Sequence, residues 1–308
     1  MASLCTQPAD GPAVSIRDLA KSYGSVHAVR GITFDVERGE IFGFLGLNGA
    51  GKTTTIRILL DLLRATRGSA RLFGFDCRRQ SRLTRALVGY MPGELGFYPD
   101  MTGLELLDLM ARLSGVAIGT SHRLELVDRL ELARADLRRP LRTYSTGMKR
   151  KIGLVQALQA DPPLLILDEP TEGLDPLVQR ALHELLFELR ARGRTVFMSS
   201  HVLSEVERLC DRIGVIRSGQ MVLLSTVEEA RRRSGRIVRI QFARPVEAIA
   251  LPAGMSVVSQ TPERWSVRVE REVGELLPIL ARLPVRDLDI VEPALEDVLR
   301  SFYRTDQA

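Results

Sequence analysis

A chain of 308 residues suggests about two domains and is long enough to bury a core. Hydrophobic residues at 45% and charged residues at 26% are ordinary for a globular protein, and no run approaches the ~20 apolar residues of a bilayer-spanning helix. The net charge of +5 permits an anionic partner, but arginines are spread along the chain, and the one dense run, Arg231-Arg232-Arg233, reads as a solvated helix face.

Residues 1–12 lack the basic-then-apolar order of a signal peptide. Cys5, Cys77 and Cys210 are odd in number, far apart and without metal-ligand spacing, which fits a reducing compartment. The expectation is a cytoplasmic protein whose membrane role is borrowed from a partner.

Val14 to Leu45 alternate as short strands, with Gly24, Gly31 and Gly39 as punctuation. Tyr23 lies on the first turn, either as a half-buried packing residue or with its ring stacked on an adenine. The apolar run Ile41 to Leu45 leads into Gly46-Leu47-Asn48-Gly49-Ala50-Gly51-Lys52-Thr53-Thr54. Ile56, Leu59, Leu60 and Leu63 then share one helical face. Strand, glycine loop and helix form the context in which G-x-x-x-x-G-K-[ST] binds phosphate. The glycines let successive N–H groups point at one anion, and the helix N-terminus adds its positive dipole end. Lys52 is placed to reach the β- and γ-phosphates of a nucleotide, and the Thr53 hydroxyl to ligate Mg²⁺.

Gly68 to Gly74 reads as a short strand and turn, Arg78 to Arg85 as a polar stretch, and Val88 to Pro92 as a strand ending at a Pro-Gly break. From Met101 to Leu137 the spacing is helical, with Leu104, Leu107, Met110 and Leu113, then Leu124, Val127, Leu130 and Leu132. This predicts a helical insert within an α/β domain. Tyr144-Ser145-Thr146-Gly147 opens a further helix with the stripe Met148, Ile152, Val155 and Leu158. Its first turn carries Lys149, Arg150 and Lys151, which the helix dipole disfavours. Either an anion docks there, or the turn is an exposed basic one that serves solubility.

Leu164 to Leu167 reads as a buried strand ending in Asp168-Glu169, at the strand end where open α/β sheets bind ligands. There Asp168 can hold Mg²⁺ while Glu169 orients and deprotonates water. Asp175-Pro176 is a helix start, with Asp at the N-cap and Pro at the first helical position. Thr195 to Ser199 is another strand, and His201 follows it on the sheet edge shared with Lys52 and Glu169. Strands at Arg212 to Arg217 and Gln220 to Leu224, joined by Ser218-Gly219, complete the sheet. The composition shifts at Arg231 to Gly235. Beyond it, Ile237 to Phe242, Met255 to Ser259 and Trp265 to Glu270 alternate as strands. Val273 to Leu283 looks helical, Asp287 to Val291 is extended, and a final helix is expected from Ala294 to Tyr303.

From Val14 to Leu224, the order of these motifs resembles the ATP-binding cassette (ABC) transporter ATPases. Gly46 to Thr53 match the Walker A loop, and Leu164 to Asp168 with Glu169 match Walker B and the catalytic glutamate. Tyr144 to Met148 occupy the place of the signature Leu-Ser-Gly-Gly-Gln. Gly173-Leu174-Asp175 is similar to the D-loop, His201 to the switch histidine and Tyr23 to the adenine-stacking aromatic. The Tyr-Ser-Thr-Gly-Met form and the ending Glu292 to Val298 resemble the type-2 exporter branch, with its drug-resistance and daunorubicin-exporter-like ATPases.

The resemblance implies an α/β P-loop nucleoside-triphosphatase fold over residues 14–230, with a helical insert at about 93–158, and a small α+β C-terminal domain over 236–308. It implies a head-to-tail homodimer holding ATP and Mg²⁺. In each site Gly46, Leu47, Asn48, Gly49, Ala50, Gly51, Lys52, Thr53, Thr54, Tyr23 and Asp168 would bind nucleotide, and Ser145 and Gly147 would reach it from the other copy. Thr53 and Asp168 would hold the metal; Glu169 and His201 would be catalytic. The implied partner is a separate polytopic membrane permease, without nucleic acid, and the implied place is the inner face of the cell membrane. The implied activity is ATP hydrolysis powering efflux. The alternative is a soluble ABC ATPase with a regulatory, assembly or nucleic-acid and ribosome role. Those that act on nucleic acid or ribosomes usually carry two cassettes or a long coiled-coil insertion, and this chain has neither; a regulatory or assembly module with little turnover finds its support in Gly93.

Two positions depart from the family. Gly93 and then Glu94 follow Met91-Pro92 where a glutamine is expected, and Thr146 replaces the first signature glycine. Both bear on the rate of hydrolysis rather than on nucleotide binding. Either Glu94 takes over from the glutamine, or the link from this loop to a membrane partner runs through backbone alone. Leu95, Phe97 and Tyr98 either anchor that partner or pack inside the insert.

Overall fold

Strands that are buried on both faces read as unbroken apolar runs, and three such strands set the centre of this chain. The computed structural model describes residues 11–233, 235–247, 249, 251–270 and 272–291. Cys5, the run Glu292 to Val298 and the expected helix Ala294 to Tyr303 lie outside the described residues.

In chain order, β1 (Val14–Tyr23), β2 (Val26–Val36) and β3 (Ile41–Leu45) precede α1 (Lys52–Leu59). Then come β4 (Arg67–Leu72), β5 (Phe75–Asp76), α2 (Ser81–Ala86) and β6 (Val88–Met91). The helices α3 (Gly103–Ser114), α4 (Thr120–Arg129) and α5 (Thr146–Leu158) follow. The remainder of this unit is β7 (Leu164–Asp168), α6 (Pro176–Ala191), β8 (Thr195–Ser200), α7 (Leu203–Leu209), β9 (Arg212–Arg217) and β10 (Gln220–Thr226).

A six-stranded sheet runs in the order β10-β9-β3-β8-β7-β6 and is parallel from β9 to β6. Every residue of β3, β7 and β8 is buried. A second, antiparallel sheet has the order β2-β1-β4-β5. The rings of Phe34, Phe42, Phe44 and Phe197 lie with centroids 5.5–5.6 Å apart, Phe34 of β2 stacking on Phe42 and Phe44 of β3, so the antiparallel sheet meets the parallel one at β3. Each fully buried ring contributes about 1.5–3 kcal/mol.

Several helices differ from the sequence pattern. α1 stops at Leu59, and Asp61 takes a positive φ of 52°, so Leu63 lies beyond the helix. α3 buries Leu106 and Leu107 and leaves Leu104 and Leu113 exposed, because it packs against α5 on a face rotated from the expected stripe. The polar stretch after Cys77 contains α2, where Asp76 Oδ1 accepts from the N–H groups of Arg78 and Arg79 and turns the chain into the helix. α6 starts as expected: Asp175 Oδ1 accepts from Val178 N–H at 3.0 Å. Among the described residues no helix is long and apolar enough to cross a membrane.

The chain divides into one unit up to Leu224 and a second from Ser225. The second begins with α8 (Val227–Arg233), followed by β11 (Arg236–Phe242), β12 (Met255–Gln260), β13 (Arg264–Val269), α9 (Leu277–Leu280) and β14 (Val285–Val291). Its antiparallel sheet has the order β12-β13-β11-β14. Alternate residues Val238, Ile240 and Phe242 face Trp265, Val267 and Val269, and Leu276 and Leu280 close the core. The Phe242 and Trp265 rings meet edge to face at 4.9 Å. The helical stretch is shorter than its pattern: a 3-10 turn at Val273–Leu276 runs into a single turn of α9.

Candidate active site

The loop after β3 is shaped by two glycines that admit no side chain. A Cβ on Gly46 would lie 2.4 Å from the Ile216 carbonyl oxygen. Gly51 has φ of 111°, and a Cβ there would meet the Ala28 carbonyl oxygen at 2.5 Å. The loop therefore curls tightly: Ala50 N–H donates to the Leu47 carbonyl at 3.1 Å and Gly219 N–H to the Ala50 carbonyl at 3.0 Å. Leu47, Asn48 and Gly49 at its crest are exposed, while Thr53 and Thr54 are half-buried on α1. Lys52, buried on the first turn of α1, folds its ammonium under the loop. Its Nζ donates to the Gly46 carbonyl at 2.6 Å and lies 3.2 Å from Glu169 Oε1.

Strand register delivers the acidic groups. In the parallel ladders Leu45 is opposite Ser200 and Asp168 is opposite Ser199. Asp168 is buried; its Oδ2 accepts from Thr53 Oγ1 at 3.0 Å and its Oδ1 from Ser199 Oγ at 2.5 Å. A hydroxyl and a carboxylate in contact suit a small hard cation that takes its remaining ligands from phosphate oxygens and water. Glu169 has φ of 51°, a conformation that costs a non-glycine residue ~1–2 kcal/mol. Ser199 holds it there, accepting from Glu169 N–H through its carbonyl at 3.2 Å and its hydroxyl at 3.1 Å. The kink aims Oε1 at the Lys52 ammonium and Oε2 at His201 Nδ1, 2.8 Å away. His201 is exposed, with Nε2 free of any bond to Glu169. Nearby, burial pushes the Tyr90 phenol up to about 12, and the Asp168 charge adds to this.

The structure thus joins Gly46, Lys52, Thr53, Asp168, Glu169 and His201 in one network. Three other expected residues stand outside it. Tyr23 is exposed at the end of β1, and Lys21 Nζ lies 4.9 Å from its ring centre. Ser145 caps α5, accepting from Met148 N–H at 3.2 Å, and remains exposed with Thr146. A Cβ on Gly147 would be 3.5 Å from the Gly173 carbonyl, so the start of α5 lies against the D-loop-like turn.

Two of the three cations of that first turn have found acceptors within the chain. Arg150 is buried, donating to Glu172 Oε2 at 3.1 Å and to the Glu169 carbonyl at 3.4 Å. Lys151 donates to the Glu131 carbonyl and lies 3.6 Å from Asp175. Within one chain these two are paired rather than left in an exposed basic turn, and the protein acceptors offset the unfavourable dipole. Gly93 lies beside the acidic pair, where a Cβ would be 3.4 Å from Asp168 Oδ2, whereas Glu94 is exposed. Leu95 and Phe97 reach the position of Gly153 on α5, which places them in the packing of the insert and leaves Tyr98 exposed.

Supporting residues were not singled out by the sequence pattern. Ser199 had a signal, a polar residue closing an apolar strand. Glu205 had none: it is buried on α7 and accepts from Thr171 Oγ1 and Ser200 Oγ at 3.0 and 3.1 Å, tying the turn after β7 to the end of β8.

A family profile described as ABC transporter matches residues 29–172. The chain is 33% identical over 293 residues to the bacitracin transport ATP-binding protein BcrA of Enterococcus faecalis, covering 92% of this chain and 94% of the relative. It is 41% identical over 212 residues to the Nod factor export ATP-binding protein I of Paraburkholderia xenovorans, covering 68% and 69%. A solved structure of an ATP-binding subunit of an ABC transporter superposes with a TM-score of 0.67 at 32% identity, covering 71% of this chain and 92% of that one.

Proposed function

This chain belongs to the family of ABC transporter ATP-binding proteins, and from that premise we propose that it powers export through a separate polytopic membrane permease. It binds and hydrolyses ATP. The observation that carries the proposal is the network at the ends of β3, β7 and β8, where Lys52, Glu169 and His201 adjoin Thr53 and Asp168.

In this reading the loop amides from Gly46 to Thr54 hold the β- and γ-phosphates, and Lys52 exchanges its carbonyl and carboxylate oxygens for phosphate oxygens. Release of Lys52 frees Glu169 Oε1 to accept a proton from the attacking water. His201 fixes Oε2 through Nδ1 and presents Nε2 toward the γ-phosphate. The Glu169 kink is a local strain that aims this base, at a cost met by the two hydrogen bonds from its N–H to Ser199. Mg²⁺, held by Thr53 and Asp168, would neutralise charge on the transferring phosphoryl group. Tyr23 offers an exposed ring for the adenine. The exposed Ser145 and Thr146 support a head-to-tail homodimer in which α5 of one copy meets nucleotide on the other. ATP-driven closure would then rock the permease between its two access states.

Reading the neighbouring reading frames for a protein of about six transmembrane helices, and co-expressing it with this chain, tests the proposal. The expected result is a co-purifying complex whose ATPase rate responds to the permease and whose export stops in Glu169→Gln. Recovery of an active ATPase on ribosomes, with no membrane protein bound, would overturn it in favour of the soluble alternative.

A further inference from the structure

Basic charge is not evenly placed on this chain. Residues 55–92 hold eight arginines against two aspartates, +6, while the whole chain carries +5. Part of this excess converges on a groove of about 520 Å³ between the end of α1, β4 and the turn before α2. Its volume falls in the range of small-molecule sites, ~300–1,000 Å³.

Four arginines line the groove: Arg64, Arg67, Arg78 and Arg79. Arg67 is paired with Asp18 at 2.9 Å. The guanidinium groups of Arg64, Arg78 and Arg79 are exposed and form no ion pair or hydrogen bond among the described residues. Two carboxylates, Asp61 and Asp76, share the lining with the four arginines, so the groove keeps a net positive charge of about two; Asp76 Oδ1 is turned to the backbone N–H groups of Arg78 and Arg79. Arg82 and Arg85 continue the positive surface along α2. The apolar part of the wall is the half-buried pair Leu63 and Ala65, backed by the buried Leu19 and Ile58. Planar guanidinium groups bind phosphate in a two-pronged way that an ammonium cannot. A rim of such groups over an apolar wall matches an amphiphile with a phosphate head. No aromatic ring lines the groove to stack a base, which disfavours single-stranded nucleic acid.

We infer that this groove docks the phosphate headgroup of an anionic phospholipid, holding the ATPase against the bilayer beside its permease. The inference rests on the proposed function, which places the chain at a membrane. The two are separable because vesicle binding is measured on the ATPase alone. Arg64, Arg78 and Arg79 take the phosphate, and the apolar wall receives the glycerol and the first methylenes. Near an anionic surface each arginine is worth roughly a fivefold change in partition.

The test is sedimentation of the purified full-length chain with vesicles of phosphatidylglycerol and of phosphatidylcholine. Binding to the first and not the second is expected. The triple variant R64Q/R78Q/R79Q should lose about 10²-fold in binding and keep its basal ATPase rate. The control R112Q/R138Q/R180Q, with equal charge loss at exposed arginines on other elements, should still bind. Equal loss in both variants would reduce the effect to net charge and refute the groove. Tighter binding of a single-stranded RNA oligonucleotide, or of soluble glycerol phosphate without vesicle binding, would refute the lipid. Failure of vesicle binding alongside a working exporter complex would sink this inference and leave the proposed function standing.

Discussion

Ser199→Ala isolates one contact of the active-site network. The Ser199 hydroxyl donates to Asp168 Oδ1 at 2.5 Å in a fully buried setting. A hydrogen bond to a charged group is worth about 1.5–3 kcal/mol. The Glu169 N–H keeps the Ser199 carbonyl at 3.2 Å, so the kink at Glu169 persists and the loss falls mainly on Asp168. If the bond is fully used in the transition state, hydrolysis should slow roughly 10- to 160-fold, at 1.36 kcal/mol per tenfold. Nucleotide binding without metal should be unchanged, because Lys52 and the loop are untouched. Phosphate release at saturating Mg·ATP measures the rate, and equilibrium dialysis with and without Mg²⁺ separates metal-dependent binding. A thermal scan sets the assay temperature below a midpoint expected to fall by roughly 3–12 °C. A variant that hydrolyses at the wild-type rate would show that Ser199 does not position Asp168 for catalysis.

Glu169→Gln should cut hydrolysis by ~10²–10⁴-fold while retaining ATP, so that gel filtration finds an ATP-trapped dimer; Lys52→Ala should instead lose ATP binding. Glu94→Ala should lower permease-stimulated hydrolysis more than the basal rate, and no loss in either assay would leave coupling to the Gly93 backbone beside Asp168. A chain ending at Thr226 keeps β10 whole and should still bind Mg·ATP; a folded truncation that cannot do so would show that the second unit is needed. Burial alone would raise the Asp161 carboxyl, but the hydrogen bond from Arg194 and the charges of Arg194 and Arg192 hold it below the usual range. A lowered folded value gives stability that is present above the unfolded value of ~3.9 and lost as pH falls through the folded one. Melting curves of Asp161→Asn should therefore lie below the wild type at neutral pH and converge with it in acid.

What the sequence determined by itself is whatever contiguous residues dictate. The phosphate loop needs Gly46 and Gly51 at fixed spacing before Lys52, and the contacts that forbid a Cβ there appear as glycines in the chain. The buried strand ending in Asp168-Glu169 and the cap of Asp175 on α6 are equally local, and both stand as expected. The tertiary structure alone decided which distant groups meet. Ser199 and Asp168 are 31 residues apart and touch only because β7 and β8 pair in that register. Arg150 and Lys151 look like uncompensated cations on α5 until Glu172, Glu131 and Asp175 are folded against them. The buried face of α3 was set by contact with α5 rather than by its own spacing, since Leu104 and Leu107 were both apolar candidates and only one side had a partner. Leu95 and Phe97 were apolar enough for a partner protein, but the absent side chain of Gly153 opens space for them within the insert. Backbone geometry is written in neighbouring residues, while the partner of a side chain depends on register and packing between segments that only the folded chain brings together.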